Sequence, residues 1–354
     1  MLVTLAELND ARRGLISEFA VAADKRFAAE LRERGSVVHG LGDVRLRRPL
    51  SIVRARRRLR QLLNSGPYDG AVCHAPWSHA LFGGVVRACG LPCVLWQHDR
   101  ATGTGLVERM SRAVGADLVV CNSEWTAASA GVLHPAAPHA VIYCPVTPAP
   151  VTPEDRAHIR TTLGASPSDV VILAASRLEP WKGHIDLIRA LARVRARRWT
   201  LWIAGGAQRP HEREYERLLR GEIARLGISP SVRLLGERSD VRRLIAASDV
   251  LAQANAGPEP FGVVFAEALL AGVPVVTMRM GGAPEIVDDS CGRLVAPGDA
   301  DGLVGALNDL ISDRSLREQL GERGPTRAEA RCAPALALAR LEAALASVPR
   351  PTPA

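Results

Sequence analysis

An α/β fold of two doubly wound parallel sheets is predicted by three features of the sequence. Short apolar strands alternate with amphipathic helices in two successive series along 354 residues. A proline-rich break, residues 145–153 (PVTPAPVTP), separates the series, and four prolines in nine residues suit neither a helix nor a central strand. The length fits two domains of ordinary size. The expected organisation is a first Rossmann-like domain over 1–147 and a second over 148–330. Residues 331–354 would form a helix able to cross back to the first domain, followed by a disordered tail (VPRPTPA).

In the first series, Leu2–Leu5 with Ala6 reads as a short buried strand. A polar loop, Asn9–Gly14, follows, then a long helix to about Arg34 that Gly35 ends. Further strands are expected at Ser36–Gly40, Gly70–His74, Cys93–Gln97, Leu118–Cys121 and Ala140–Cys144, with helices near His79–Cys89 and Gly105–Val114. In the second series the strands are Val170–Ala175, Thr200–Ala204, Val232–Leu235, Val250–Ala254 and Val273–Met278. The helices between them are His184–Arg195, about Glu212–Leu226, Val241–Ala247 and Phe261–Ala271, the last closed by Gly272 and Pro274. Helices fill most of 301–346. Open sheets of this kind bind ligands at the carboxyl ends of their strands.

Composition narrows the function class. The chain is 47% hydrophobic and 23% charged, the balance of a soluble globular protein. No signal peptide and no apolar run of about 18 residues is read, so a cytoplasmic protein is expected. The seven cysteines are odd in number and irregular in spacing, without a C-x-x-C pair, and are expected to be buried thiols, not a zinc framework. The net charge of +8 is uneven: residues 1–147 carry +6 and the remainder +2. Eight arginines fall between Arg45 and Arg60, a local patch. Three tyrosines and five phenylalanines leave few platforms for stacking bases, which argues against nucleic acid as a partner.

The chemistry concentrates in 176–285. Arg177 and Lys182 follow the strand Val170–Ala175 and place two cations at its carboxyl end. Lys182 is one of only two lysines among 45 basic residues, so a compact ammonium is notable there. Glu259 precedes a helix and Glu267 lies within it, in PEPFGVVFAEALLAG. The helix start at Phe261–Gly262 offers free N–H groups to a phosphate or a sugar hydroxyl. Glu267 sits among apolar residues and needs hydrogen-bond donors, such as ribose hydroxyls. Gly281–Gly282 after Val273–Met278 permits close backbone approach, as Gly205–Gly206 does more weakly. In the first half, His98 follows the strand Cys93–Gln97 and would face the cleft. No D-x-D triplet is read in the sequence, and no divalent metal is expected.

The ordered set ASRLEPWKGHIDLIRAL, IAGG, PEPFGVVFAEALLAGVPVV and GGAPEIV resembles the donor domain of the family 4 glycosyltransferases of GT-B architecture, across about 170–310. YDGAVCHAP, GLPCVLWQHD and ADLVVCNSEWT extend the resemblance more loosely over the first half. The resemblance implies two Rossmann-like domains facing a central cleft. It also implies a retaining transferase that takes a sugar from a nucleotide-diphosphate sugar, with that donor as co-substrate and no further cofactor. Arg177 and Lys182 would neutralise the diphosphate, and Glu267 would hold the ribose. Glu259 would bind sugar hydroxyls and stabilise developing positive charge, backbone groups of Phe261 and Gly262 would contact the sugar, and His98 would stand near it on the acceptor side. Gly14 and Gly282 would approach the donor. Two departures stand out. The usual glycine pair after the first strand is reduced to Gly14, with Arg12 and Arg13 beside it, and the polar Asn-Gly-Val-Asp segment closing the first domain is replaced by Tyr143–Val146.

The acceptor is expected to be a sugar, a lipid-linked group or a small molecule, in polysaccharide, glycolipid or glycosylated-metabolite synthesis. The stretch 45–63 mixes leucines with arginines in a way that suits peripheral contact with an anionic membrane, or packing on the sheet. The rival readings are an epimerase or glycogen-type synthase of the same fold, or a silent nucleotide-binding subunit.

Overall fold

The computed structural model describes residues 2–7, 15–23, 25–196 and 198–349. Two compact units are present. One runs up to Pro145 and resumes at Pro334; the other is Val146–Ala333. In the first, α1 (Leu2–Glu7), β1 (Phe19–Val21), α2 (Arg26–Glu33), β2 (Val38–Gly40) and α3 (Pro49–Ser65) lead into β3 (Ala71–His74). Then come α4 (Ala75–Ser78), a π-helical turn His79–Gly83, α5 (Gly84–Ala88), β4 (Cys93–Gln97), α6 (Leu106–Val114) and β5 (Leu118–Cys121). Helices α7 (Glu124–Ala127) and α8 (Ala130–Leu133) and strand β6 (His139–Val141) complete that series. The second unit contains α9 (Pro153–Thr162), β7 (Val170–Ala175), α10 (His184–Arg193), β8 (Trp199–Ala204), α11 (Pro210–Arg225), β9 (Val232–Gly236), α12 (Val241–Ala247) and β10 (Val250–Gln253). It continues through α13 (Val263–Leu270), β11 (Val275–Met278), α14 (Ala283–Ile286), β12 (Gly292–Val295), α15 (Ala300–Ser312) and α16 (Arg314–Cys332). The final helix, α17 (Pro334–Ala346), belongs to the first unit.

All the strand pairings are parallel, as the alternating sequence predicts. The strand orders are β1-β2 and β3-β4-β5-β6 in the first unit and β12-β11-β10-β7-β8-β9 in the second. Strands covered by helices on both faces read as continuous apolar runs. Accordingly β4, β5, β8, β10 and β11 are buried at every position. Helix α17 lays Ala337 and Leu341 on Val94, Trp96, Leu118 and Ile142. In the second unit α13 is apolar nearly all round, as a fully enclosed helix must be. It packs against α16 where Gly324 meets the Leu269 backbone so closely that a Cβ there would stand 2.6 Å from the Leu269 carbonyl oxygen.

Two expectations fail in the first unit. Leu2–Glu7 is a helix, not a strand. The helix expected to run to Arg34 is broken, because Phe19–Val21 forms a strand against Val38–Gly40 and α2 starts only at Arg26. Pairing with a distant partner overrides the local helical composition there. Pro153, read as part of the break, occupies the first turn of α9, where its missing N–H costs nothing, and Thr152 caps that helix by accepting from Asp155 N–H. The helix expected from Phe261 starts at Val263. Gly14, Arg12, Arg13 and the end of the tail, 350–354, lie outside the described residues. All seven cysteines are free thiols, six of them buried. Among the described residues no helix is long and apolar enough to cross a membrane.

Candidate active site

The site in the second unit is assembled from loops at the carboxyl ends of β7, β10 and β11. After β7 the chain makes a short folded loop, Arg177–Gly183. Leu178 is buried, Lys182 N–H donates to the Glu179 carbonyl, and Gly183 closes the turn at φ 71°. Glycine is required at that turn. A Cβ there would stand 1.6 Å from the Ala254 carbonyl oxygen, besides adopting a left-handed conformation that side chains resist. Ala256 N–H donates to the Trp181 carbonyl at 2.8 Å, which fixes the β7 loop on the β10 loop. Beneath lies His184, buried, with Nε2 3.0 Å from Ser176 Oγ. Burial, with Lys182 nearby, lowers its pKa to about 4, so it is a neutral prop.

That closure brings Lys182 and Glu259 together. Lys182 Nζ lies 2.5 Å from Glu259 Oε2, with the two side chains only 12% and 13% exposed. The ammonium also sits 4.0 Å from the centre of the Trp181 ring. The same carboxylate oxygen accepts from Gln253 Nε2 at 2.9 Å and Asn255 Nδ2 at 3.2 Å. Glu259 in turn is held by the β11 loop. It bridges Gly281 in parallel fashion, and its carbonyl accepts from Gly282 N–H at 2.7 Å. The glycine pair therefore approaches the chain at Glu259–Phe261. A Cβ on Gly281 would stand 2.2 Å from the Glu259 carbonyl oxygen, and one on Gly282 2.5 Å from that of Pro260. The N–H of Gly282, a residue expected to approach the donor, is thus engaged by the Glu259 carbonyl.

Of the other residues singled out in the sequence, Arg177 lies on the β7 loop, while Phe261 and Gly262 precede α13, which carries Glu267. The Phe261 side chain is buried in the core. Gly262 adopts φ 88° immediately before α13, and the first N–H groups of that helix have no partner within it. Glu267, on α13, accepts from Arg242 Nε at 2.9 Å through Oε1, and Arg242 also donates to Thr147 Oγ1. Arg177 is 57% exposed and paired with Glu179, whose other oxygen accepts from Trp181 Nε1. Gln253, Asn255 and Arg242 escaped the sequence reading. Their signal is weak, since polar residues at a strand end or on a short helix are ordinary.

In the first unit His98 follows β4. Its Nε2 lies 3.1 Å from His74 Nδ1, the rings stack at 5.3 Å, and His74 stacks in turn on buried Trp96. Burial lowers both imidazoles, His74 to about 3 and His98 to about 4. Asn122 Nδ2 donates to the His98 carbonyl. Ala75, next to His74, has φ 70° although it is not a glycine, and such backbone conformations concentrate at functional sites.

Contrary to the expectation, the chain does hold one D-x-D triplet, Asp299–Asp301, outside 176–285. Asp299 caps α15 by accepting from Gly302 N–H, and Asp301 pairs with Arg193. Among the described residues no group of three or more His, Cys, Asp or Glu is placed to hold a metal ion.

Residues 155–327 match the model of glycosyl transferases group 1, and residues 11–149 that of glycosyltransferase family 4. The chain belongs to the group 1, family 4 glycosyltransferases. Along 98% of its length and 95% of the other chain it superposes on Anabaena Alr3699/HepE, solved with UDP and glucose, at 26% identity and a TM-score of 0.84. The match establishes the GT-B class with two Rossmann-like domains. A GDP-mannose-dependent phosphatidylinositol monomannoside mannosyltransferase of Corynebacterium glutamicum is 35% identical over 211 residues, 57% of this chain and 53% of that protein. The lipopolysaccharide core glycosyltransferase LpsE of Rhizobium meliloti is 34% identical over 171 residues, 48% of this chain and 46% of LpsE. The chain thus spans about half the length of the curated relatives it matches.

Proposed function

We propose that the protein is a retaining glycosyltransferase that moves a sugar from a nucleotide-diphosphate sugar to an acceptor hydroxyl in glycoconjugate synthesis. The observation that carries this reading is the nearly buried Lys182–Glu259 pair, held at the strand ends where α/β sheets bind ligands. Cleaving a glycosyl phosphate leaves positive charge on the sugar and extra negative charge on the diphosphate. A cation and an anion fixed side by side match that separation. In this reading Lys182, Arg177 and the N-terminus of α13 face the diphosphate. Glu259 faces the sugar and Glu267 the ribose, while His98 is the first unit's candidate for a hydrogen bond to the transferred sugar.

The step balances without a covalent enzyme intermediate. The C1–O bond breaks with its electron pair passing to the diphosphate. The acceptor oxygen then bonds C1 on the same face, and its proton passes to the departing phosphate oxygen. No further cofactor enters this scheme.

Peripheral contact with an anionic membrane, and hence a lipid-linked acceptor, is the finer proposal. Helix α3 buries Ala55, Leu59 and Leu63 and exposes Leu50 and Val53 among its arginines. The test of the main reading is a nucleotide-release screen with UDP-, GDP-, ADP- and dTDP-sugars. Release from at least one donor is expected; no release and no nucleotide binding would overturn the proposal.

A further inference from the structure

We infer that Gln253 and Asn255 are positioning residues that set which sugar the site accepts, by locking the carboxylate of Glu259. The inference rests on the transferase reading above.

Both amides are buried, 3% and 2% exposed, at and just beyond the end of β10. A strand end in a parallel sheet is more cheaply filled by an aliphatic side chain, since a buried amide needs partners. The partner here is Glu259. Gln253 Nε2 donates both to Glu259 Oε2, at 2.9 Å, and to Asn255 Oδ1, at 2.7 Å, while Asn255 Nδ2 reaches the same Oε2 at 3.2 Å. The orientation of the Gln253 amide follows from this arrangement, because the reverse would set a carbonyl oxygen against a carboxylate. Its Oε1 is left buried without a partner, so packing alone does not account for the side chain.

With Lys182, three donors converge on one oxygen, Oε2. Oε1 accepts no protein hydrogen bond among the described residues. The carboxylate plane is thereby fixed, and Glu259 presents a single, directional acceptor. A sugar whose hydroxyl meets Oε1 satisfies it. An epimer with that hydroxyl inverted leaves a charged, nearly buried acceptor unpaired, which is how sites of this kind discriminate strongly. Without the amides, the carboxylate could turn to follow either epimer.

The experiment compares wild type, Gln253→Met and Asn255→Ala in the full chain. It measures kcat/KM for the best nucleotide-sugar and for its hexose epimers on the same nucleotide, together with the Kd of the free nucleoside diphosphate. The expected result is a fall of about 10- to 100-fold in kcat/KM for the best donor, the scale of a lost hydrogen bond to a charged group. Preference over the epimers should narrow by a similar factor, with nucleotide Kd within about twofold of wild type. Unchanged epimer preference would overturn the inference. So would loss of nucleotide affinity in parallel with rate, which is the mark of a merely structural role. If Gln253→Met does not fold, Asn255→Ala carries the same comparison. A wild type that turns over no nucleotide-sugar overturns the transferase reading itself, and this inference with it.

Discussion

Lys182 Nζ and Glu259 Oε2 are 2.5 Å apart, although 77 residues separate them in the chain. Removing one partner of such an enclosed pair strands the other charge, whereas removing both does not. A double-mutant cycle with Lys182→Met and Glu259→Gln should therefore be non-additive, with a coupling of about 1–3 kcal/mol by urea unfolding. Additive losses would mean that the pair is not formed in solution.

Gly183 makes the second prediction. Its φ of 71° and the 1.6 Å approach of a notional Cβ to the Ala254 carbonyl leave no room for a side chain. Gly183→Ala should lower stability by about 3 kcal/mol or more, combining left-handed strain with displacement of the β10 loop. Gly84→Ala, where a Cβ meets nothing within 4 Å, is the control and should change the melting temperature little. Equal melting temperatures for the two variants would contradict the loop contact.

The His74–His98 pair predicts a pH response. Burial lowers both pKa values from 6.5, to about 3 and about 4. Between those values and 6.5 the unfolded chain therefore binds more protons than the folded one, and stability falls as the pH drops through that window. Imidazole NMR should show both rings neutral and unshifted from pH 7 to 5.5. Titration of either ring near 6.5 would contradict the packing.

Helix α3 refines the membrane test. Arg56 Nε donates to the Leu81 carbonyl and Arg58 to that of Leu41, so these two arginines help anchor the helix. Arg54, Arg57 and Arg60 are exposed. Changing those three to Gln should weaken binding to vesicles containing phosphatidylglycerol by about tenfold or more, at about 1 kcal/mol per charge, and leave weak binding to neutral vesicles unchanged. Equal sedimentation of wild type and variant with anionic vesicles would remove the membrane proposal.

The second unit was readable in sequence because parallel strands between helices are continuous apolar runs. Val170–Ala175 and the helix Val241–Ala247 are found where the pattern sets them. The first strand was not readable, because Phe19–Val21 gains its structure from Val38–Gly40, a partner that local propensity cannot reveal. The site divides in the same way. Lys182 stood out as one of two lysines, placed at a strand end, Glu259 by its place just before a helix, and Glu267 as a charge among apolar residues. Gln253, Asn255, His74 and Arg242 acquire meaning only through the atoms they meet. The glycines at 281 and 282 signalled close backbone approach, and the chain they meet is that of Glu259 and Pro260.

The most direct test of the account is steady-state nucleotide release from the best donor by wild type, Lys182→Ala and Glu259→Ala, each confirmed folded by circular dichroism. Loss of one preorganised charge should lower kcat by about 10²- to 10³-fold in each variant. Release by both variants at the wild-type rate would contradict the assignment of this pair as the centre of transfer.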